Sequence, residues 1–290
     1  MANGIIIIDK SPDWTSHDVV AKCRGIFRER RIGHAGTLDP MATGVLPVFV
    51  GRATRAVEFA AEGEKTYLAQ CRFGQISDTQ DSSGRILEER QVNITQVDLL
   101  AALPHFFGDQ TQIPPMYSAI KINGQKLYDL ARKGKEVERQ PRPITIHHLE
   151  LTGFDGTTAI LLVQCSKGTY IRTLCHDLGQ HLGCGALMSG LRRTAACGYD
   201  ETCAITLEQL QSAPDPTALL MPVDSLFQAH LSIDITFEQA KKCRNGATFP
   251  YPADDGTYRV YGPDGDFLML GHCEHNTMST IKSFYEVTSP

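Results

Sequence analysis

Residues 33–40 (GHAGTLDP) bring two glycines, a histidine and an aspartate into eight positions, next to a basic stretch over residues 22–31. Gly33 and Gly36 allow a ligand to approach the backbone closely. Asp39 precedes a proline, which favours an extended backbone and holds the carboxylate in one orientation. A fixed carboxylate can act as nucleophile, base or electrostatic stabiliser. The alternative is a glycine-rich turn in which Asp39 binds its own backbone.

A second candidate segment, residues 167–172 (KGTYIR), joins a predicted strand to a predicted helix. Tyr170 and Arg172 then lie in the first helical turn, where an arginine could pair with Asp39 and keep it ionised. The alternative for Arg172 is a solvated side chain at a helix start. Tyr67 lies on the apolar face of an alternating strand, and that pattern alone favours a core position.

The sequence contains residue types that can bind metals, but their spacing is not that of a metal site. Residues 272–275 (HCEH) lack a second ligand pair at a suitable distance along the chain. Asp78 and Asp81 could hold magnesium, but polar loops such as residues 77–84 (SDTQDSSG) are usually Asx turns. The nine cysteines form an odd number without a C-x-x-C pair, which argues against a disulfide framework and a zinc ribbon. We expect no metal and no cofactor.

The chain around these segments has 290 residues, of which 42% are hydrophobic and 21% charged, and this composition is typical of a globular protein. Its apolar runs are far shorter than the roughly 20 residues of a membrane helix. The start of the chain lacks the basic residues and the length of a signal peptide. We therefore expect a cytoplasmic protein that does not bind membranes. The length predicts one large domain and one smaller domain.

Apolar periodicity and turn residues predict the elements that position the candidate residues. They are a strand at 4–9, a helix at 16–27 capped by Ser16, a strand at 45–50 that Pro47 makes less regular, a strand at 66–73, a hairpin at 144–166, a helix at 170–182 and a final strand at 278–287. Residues 110–143 contain several prolines and predict an insertion that projects from the core.

The insertion is basic although the whole chain carries a net charge of −5. Seven lysines and arginines lie between residues 118 and 147 against three acidic residues, interleaved with Tyr117, Asn123, Gln125 and Tyr128. Such a mixture is expected where a protein contacts a phosphate backbone and bases. A solvated charged face is the alternative, but three basic elements together favour RNA or DNA.

Several long motifs, in one order along the chain, resemble those of the TruB family of tRNA pseudouridine synthases. They are GHAGTLDPMATGVLP at 33–47, KTY at 65–67, SDTQDSSG at 77–84, IPPMYSAIKINGQKLYDLAR at 113–132, CSKGTYIRTLCHDLG at 165–179 and LRR at 191–193. The resemblance extends from residue 4 to about residue 206 and is weaker beyond. Two positions depart from the family's opening DKPxGxTS: Ser11 replaces a proline and Asp13 a glycine, while Lys10 is retained.

The resemblance implies an isomerase that converts the T-loop uridine of tRNA (uridine 55) to pseudouridine by base flipping, glycosidic cleavage, base rotation and C–C bond formation. It implies Asp39 as the catalytic carboxylate and Tyr67 as the residue that stacks on the base and transfers a proton. The other implied site residues are Arg172 and Tyr170, which orient Asp39, His34, which helps to extrude the uridine, Leu191, which lines the pocket, and Lys10.

The resemblance also implies an α+β fold. It has a mixed, mainly antiparallel sheet of the pseudouridine synthase type in residues 1–225, with an inserted RNA-binding thumb at about 105–143, and a PUA-like β-barrel domain in residues 226–290. We expect the T stem-loop of tRNA as partner, no protein partner and a monomer. Whether Asp39 attacks C1′ or C6, or removes the C2′ proton, stays open. The alternative of another class is a tRNA-folding chaperone without essential catalysis.

Overall fold

The computed structural model describes residues 2–122 and 124–285, and within them a sheet of ten strands forms the centre of the molecule. The strands up to residue 205 are β1 (Gly4–Lys10), β2 (Ile32–His34), β3 (Thr43–Val50), β4 (Lys65–Phe73), β5 (Gln75–Ser77), β6 (Ile86–Glu89), β7 (Gly108–Gln112), β8 (Lys121–Ile122), β9 (Gln125–Lys126), β10 (Arg142–Phe154), β11 (Thr158–Cys165), β12 (Ala186–Ala196), β13 (Tyr199–Asp200) and β14 (Ala204–Ile205). The helices up to residue 212 are α1 (Ser16–Phe27), α2 (Val57–Glu62), α3 (Gln96–Ala102), α4 (Leu127–Ala131), α5 (Ile171–His181) and α6 (Leu207–Ser212).

The central sheet has the strand order β14-β1-β3-β12-β4-β11-β10-β7, with β13 beside β12 and β2 beside β3. The pairs β1–β14 and β3–β12 are parallel, and the other described pairs of this sheet are antiparallel. The prediction of a mixed, mainly antiparallel sheet is confirmed. Strands β3, β12 and β4 lie side by side in its middle, and these strands carry or flank several of the candidate residues.

Helices α1, α3 and α5 pack their apolar residues on one face of the sheet. Strand β4 shows why the sequence forms this layer: alternate residues from Tyr67 to Phe73 are buried on that face, as expected for the period of two in a strand. A second buried cluster lies on the opposite face. In the described part of the chain, no helix is long and apolar enough to cross a membrane.

The N-cap of helix α1 is Thr15, one residue before the predicted cap Ser16. The Asp18 amide donates to Thr15 Oγ1 at 3.1 Å, and the Asp18 carboxylate accepts from the Thr15 amide at 2.9 Å. These two reciprocal bonds form a capping box. The cap prediction for Ser16 is therefore wrong, and the Ser16 side chain is fully buried and available for another contact.

The predicted insertion is partly built into the sheet. Strand β7 pairs with β10 at the sheet edge, so the segment that leaves the sheet is residues 113–141. This shorter segment contains β8, β9 and α4. Asn123, which the sequence placed in the basic segment, lies outside the described residues.

The last part of the chain forms a smaller sheet. Its elements are β15 (Leu231–Asp234), α7 (Phe237–Arg244), β16 (Phe249–Pro250), β17 (Gly256–Tyr261), β18 (Phe267–Glu274) and β19 (Thr277–Ser283). The strand order β15-β17-β18-β19-β16 is consistent with a PUA-like module. Phe227, Leu270 and Phe284 join the buried cluster on the second face of the central sheet, so the two sheets pack together. The final strand was predicted to reach Val287, which lies outside the described residues.

Candidate active site

Asp39 lies in the loop that connects β2 to β3, and buried contacts hold the backbone of this loop. The Leu38 amide donates to Ser16 Oγ at 2.9 Å, and the same hydroxyl lies 3.3 Å from the Leu38 carbonyl. The Ala42 amide donates to the Asp39 carbonyl at 3.0 Å. About a third of the Asp39 side chain, 35%, stays accessible. The loop thus presents a fixed carboxylate that a ligand can still reach.

Arg172 binds the Asp39 carboxylate with two nitrogens. Arg172 Nε lies 3.0 Å from Asp39 Oδ2, and Nη2 lies 3.3 Å from Oδ1. A guanidinium and a carboxylate that meet in this forked way fix each other's orientation. The predicted pairing of residues 133 positions apart is present in the structure.

The Arg172 guanidinium has further partners because its side chain is almost fully buried. Its Nη2 donates to the Tyr117 carbonyl at 2.9 Å, its Nη1 donates to the Thr79 carbonyl at 3.2 Å, and Asp81 Oδ2 lies 3.7 Å from Nη1. Burial raises the pKa of Asp39, the positive charge of Arg172 lowers it, and the negative charge of Asp81 raises it. Arg172 is the main opposing influence that favours an ionised Asp39.

Asp81 is a site residue that the sequence pattern did not single out as a partner of Arg172. Its Oδ1 accepts from Thr79 Oγ1 at 2.7 Å and from the Ser83 amide at 3.0 Å. The interpretation of this loop as an Asx turn agrees with those bonds. The same turn aims the second carboxylate oxygen of Asp81 at Arg172.

Tyr170 is the N-cap residue of α5, and the side chain of Gln112 fixes its backbone. The Tyr170 amide donates to Gln112 Oε1 at 2.8 Å, and Gln112 Nε2 donates to the Tyr170 carbonyl at 3.0 Å. Burial raises the pKa of Tyr170. Gln112 therefore ties the end of β7 to the start of the helix that carries Arg172, a contact that the sequence pattern did not reveal.

Tyr67, Leu191 and Arg193 lie on one face of the central sheet, because β4 and β12 pair with Tyr67 opposite Arg193 and Ala69 opposite Leu191. Tyr67 is 8% exposed, and burial raises its pKa while the charge of Arg193 lowers it. Leu191 is half-buried against the core. Arg193 is the largest of the fully buried side chains. The charge of Asp39 also acts on Tyr67, so the tyrosine and the carboxylate share one region.

His34 ends β2 close to the loop of Asp39. Its ring packs edge-on against His17 with the ring centres 5.4 Å apart. Its Nδ1 is buried and has no hydrogen-bond partner among the described residues. Burial, together with the charges of His17 and Arg193, lowers the pKa of His34 to about 4. His34 is therefore uncharged at neutral pH.

Lys10 differs from the other predicted substrate-binding residues because it is fully buried. Its ammonium donates to the carbonyls of Ser11, Trp14 and Pro40 at 2.9, 2.7 and 3.0 Å. Burial lowers its pKa to about 8. Lys10 thus joins the segment after β1 to the proline that follows Asp39, and its contacts are those of a residue that positions the loop.

Comparisons with known proteins match almost the whole chain. The family model "TruB family pseudouridylate synthase (N terminal domain)" matches residues 24–171, and "tRNA pseudouridylate synthase B C-terminal domain" matches residues 172–228. The chain belongs to the TruB family. Its sequence is 41% identical to tRNA pseudouridine synthase B of Clostridium acetobutylicum over 97% of this chain and 99% of that protein. It is 45% identical to the enzyme of the same name from Alkaliphilus oremlandii over 84% of this chain and 82% of that protein.

Solved structures agree with this membership of the TruB family. A chain described as "Crystal Structure of a Cbf5-Nop10-Gar1 Complex" matches with a TM-score of 0.75 and 25% identity, over 97% of this chain and 85% of that chain. The predictions of the family, of the pseudouridine synthase fold and of an isomerase are confirmed. The sequence predicts Asp39 and Arg172 as site residues, but it does not predict the supporting contacts of Ser16, Asp81 and Gln112.

Proposed function

We propose that this TruB-family enzyme converts the T-loop uridine of tRNA, uridine 55, to pseudouridine at Asp39. The names of its relatives support tRNA as the substrate. The observation that carries the proposal is the forked contact between Arg172 and the accessible Asp39 carboxylate. A chaperone that only refolds tRNA does not need a buried arginine aimed at a carboxylate.

The isomerisation breaks the C1′–N1 bond, turns the detached uracil and joins C5 to C1′, so it needs no oxidant and consumes no water. An ionised Asp39 supplies the negative charge for the carbon or proton that it engages. Tyr67 stacks on the base and takes the proton that C5 loses. The surroundings of the two residues agree with these roles. Asp39 is accessible, and Tyr67 lies on the central sheet, where it pairs across the strands with Arg193.

The remaining residues bind or position the uridine in this proposal. A stacked base must first leave the T loop, which costs a few kcal/mol. His34 is uncharged and partly exposed, and it fills the place that the extruded base vacates. Leu191 forms an apolar wall for the base. Lys10 and Tyr170 act through the backbone of the site, since their contacts hold the loop of Asp39 and the start of α5.

We further propose that residues 1–225 form the catalytic domain and residues 226–290 a PUA-like RNA-binding domain, and that the protein acts as a cytoplasmic monomer. The segment 113–141 is the thumb that contacts the T stem-loop. Lys126 and Arg132 lie against the Tyr128 ring at 5.2 and 5.5 Å, so this segment presents positive charge beside an aromatic face.

Asp39→Asn is the decisive test of the proposed chemistry. Asparagine keeps the size of the side chain but cannot attack carbon or accept the proton, so we expect turnover to fall by at least about 10³-fold. The rate is measured as release of tritium from C5 of uridine in unmodified tRNA. Binding of tRNA and the melting temperature should stay close to those of the unmodified protein. Asp155→Asn, on the exposed β10–β11 turn, is the matched control. Near-normal release by a folded Asp39→Asn protein would falsify the role of Asp39.

Neutralising the thumb tests its proposed contact with RNA. Lys133 and Lys135 are exposed and lie far along the segment from Tyr117, whose carbonyl supports Arg172. The double change to glutamine should weaken tRNA binding and lower the log–log salt slope by roughly 0.7 to 0.9 for each phosphate that is no longer neutralised. Single-turnover rates at saturating enzyme should not change. A slower rate with an unaltered dissociation constant would contradict a role in binding.

A further inference from the structure

Arg193 is a buried cation without an acidic partner. Its side chain is 1% exposed, its Nε donates to the Val45 carbonyl at 2.7 Å, and its Nη2 donates to the Gly36 carbonyl at 2.9 Å. Among the described residues, no carboxylate lies within ion-pair distance of it, whereas the adjacent Arg192 pairs with Asp9 and Glu201. Removing a guanidinium from water without an anion is costly. A charge kept there at such a cost calls for a function.

Two glycines of the motif around Asp39 make room for Arg193, Gly36 for its side chain and Gly44 for its backbone. A Cβ atom at Gly36 would lie 3.1 Å from Arg193 Nη1, and one at Gly44 would lie 2.2 Å from the Arg193 carbonyl. Gly36 and Gly44 have φ values of 71° and 97°, which other residues rarely adopt. The motif is therefore shaped around Arg193 as well as around Asp39.

Arg193 on β12 is also the direct cross-strand neighbour of Tyr67 on β4. Burial raises the pKa of the Tyr67 hydroxyl, and three charged or titratable groups also act on it: Arg193 opposes the rise, while Cys165 and Asp39 add to it. Lys65 is on the same strand, but its ammonium donates to the carbonyls of Ala61 and Gly63. Arg193 is thus the cation placed to stabilise negative charge on the Tyr67 oxygen.

We propose that Arg193 is a positioning residue that acts as the counter-ion of Tyr67 during proton transfer from C5. The proposal rests on the proposed function, in which Tyr67 is the base. Burial raises the pKa of Tyr67, so the form that reacts is the minor phenolate, whose proton has gone to water, and Arg193 increases the share of that form by opposing the rise. After C5 has joined C1′, the C5–H bond breaks and its electron pair restores the C5–C6 double bond, and the proton forms the O–H bond of Tyr67. The C6–N1 π pair returns to N1, which takes a proton from water. Arg193 also holds the Asp39 loop through the Gly36 carbonyl.

The first test measures Tyr67 directly in the protein without RNA. A fluorinated tyrosine, which is more acidic than tyrosine, is placed at position 67, and its ionisation is followed by ¹⁹F NMR. We expect Arg193→Met to raise the titration midpoint by about 1 to 2 pH units, because it removes the positive charge that opposes the rise in the pKa of Tyr67. Arg193→Lys should raise it less, because lysine keeps the charge but loses the fork. Arg192→Met removes the neighbouring guanidinium and should leave the midpoint unchanged.

The second test measures the pH dependence of single-turnover pseudouridine formation in proteins with the natural Tyr67. In Arg193→Met the rise of rate with pH should move to higher pH by the same 1 to 2 units, with a loss of about 10- to 100-fold at neutral pH. Arg193→Lys should recover part of that loss. A role limited to packing would lower the melting temperature but would leave the rate profile in place.

Each outcome decides between separate statements. An unshifted ¹⁹F midpoint in Arg193→Met would overturn the proposal, and so would a shifted midpoint with an unshifted rate profile. A protein that forms no pseudouridine at all would instead reject the proposed function, while the ¹⁹F titration would still report on Arg193. If Arg193→Met does not fold, Gly36→Ala displaces Nη1 without removing the charge, and it should raise the midpoint by a smaller amount.

Discussion

Arg172 and Arg193 are both buried in the candidate active site, and the protein compensates their charges in different ways. Arg172 comes from the first turn of α5 and meets two carboxylates, Asp39 and Asp81. Arg193 comes from the central strand β12 and meets two backbone carbonyls. A carbonyl satisfies a guanidinium N–H but does not cancel its charge. No acid in the part of the chain that the structure describes therefore balances the charge of Arg193, whereas two acids balance that of Arg172.

The pKa shifts around the two arginines agree with this difference. Burial raises the pKa of Tyr67, and the charge of Arg193 opposes that rise. Burial lowers the pKa values of Lys10 and His34, and the charge of Arg193 adds to that lowering. Arg172 opposes the rise in the pKa of Asp39 caused by burial. One arginine thus favours an ionised carboxylate, and the other favours an ionised phenol and uncharged neighbours. The site therefore holds two separate cations, one beside the carboxylate of Asp39 and one that would stabilise a phenolate at Tyr67.

Breaking the first pair should have the largest effect. Arg172→Met leaves the buried Asp81 and the partly accessible Asp39 without their paired cation, which should lower the free energy of unfolding by up to about 3 to 5 kcal/mol and abolish turnover. Arg172→Lys keeps the charge but loses the forked geometry, so we expect a rate loss of about 10- to 100-fold. The acid limb of the pH–rate profile should move to higher pH, because a weaker cation raises the pKa of Asp39 further. An unmoved limb would show that Arg172 does not control the ionisation of Asp39.

Removing the second carboxylate should have a smaller effect with the opposite sign. The negative charge of Asp81 raises the pKa of Asp39, so Asp81→Asn should move the acid limb to lower pH. Asparagine keeps an oxygen for the Asx turn but offers Arg172 no charge, and we expect a rate loss of at most about tenfold at neutral pH. Shifts of the acid limb in opposite directions for Arg172→Lys and Asp81→Asn would support opposite electrostatic effects of Arg172 and Asp81 on Asp39. Shifts in the same direction would mean that both act only by misplacing Asp39.

The sequence predicted the parts of this site that depend on local pattern. Glycines and a proline mark the loop of Asp39, and helical periodicity marks the start of α5. Local pattern alone leaves alternatives open for Asp39 and Arg172, and the family resemblance decides between them. Strand β3 was less certain because of Pro47. The structure runs it through that proline, whose carbonyl accepts from the Ala35 amide at 3.1 Å. The missing N–H of Pro47 therefore does not end strand β3, because the contacts of its neighbours remain.

The contacts that the sequence did not predict join residues far apart in the chain. Arg193 binds carbonyls 148 and 157 positions away, and Gln112 binds a residue 58 positions away. Such contacts depend on the strand order and on which face a side chain takes, and neither follows from periodicity. The Ser16 error has a related cause, because Thr15 and Ser16 are equally suitable caps. Only the packing of the Asp39 loop against α1 turns Ser16 inward.

Asp177 provides the last test, which has the smallest expected effect. It is a partly buried carboxylate that, within residues 2–122 and 124–285, lacks the paired cation that Asp39 has. It lies on α5 with Arg172, yet no cation lies within ion-pair distance of it among the described residues, and burial raises its pKa to about 6. A raised pKa means that the folded state holds the proton more tightly than the unfolded chain. Ionisation of Asp177 therefore destabilises the fold progressively as the pH rises from about 4 to above 6.

Asp177→Asn removes that penalty, and it should raise the free energy of unfolding by about 1 kcal/mol at pH 8, after allowance for solvent screening of a partly exposed group. The gain corresponds to roughly 2 °C in the melting temperature. It should shrink to nothing near pH 4, where the aspartate is protonated in both states. Asp155→Asn should do the opposite and lose stability at pH 8, because backbone hydrogen bonds lower the pKa of Asp155. An equal gain for Asp177→Asn at both pH values would assign it to packing, and the contrast between paired and unpaired buried charges would not extend to this part of α5.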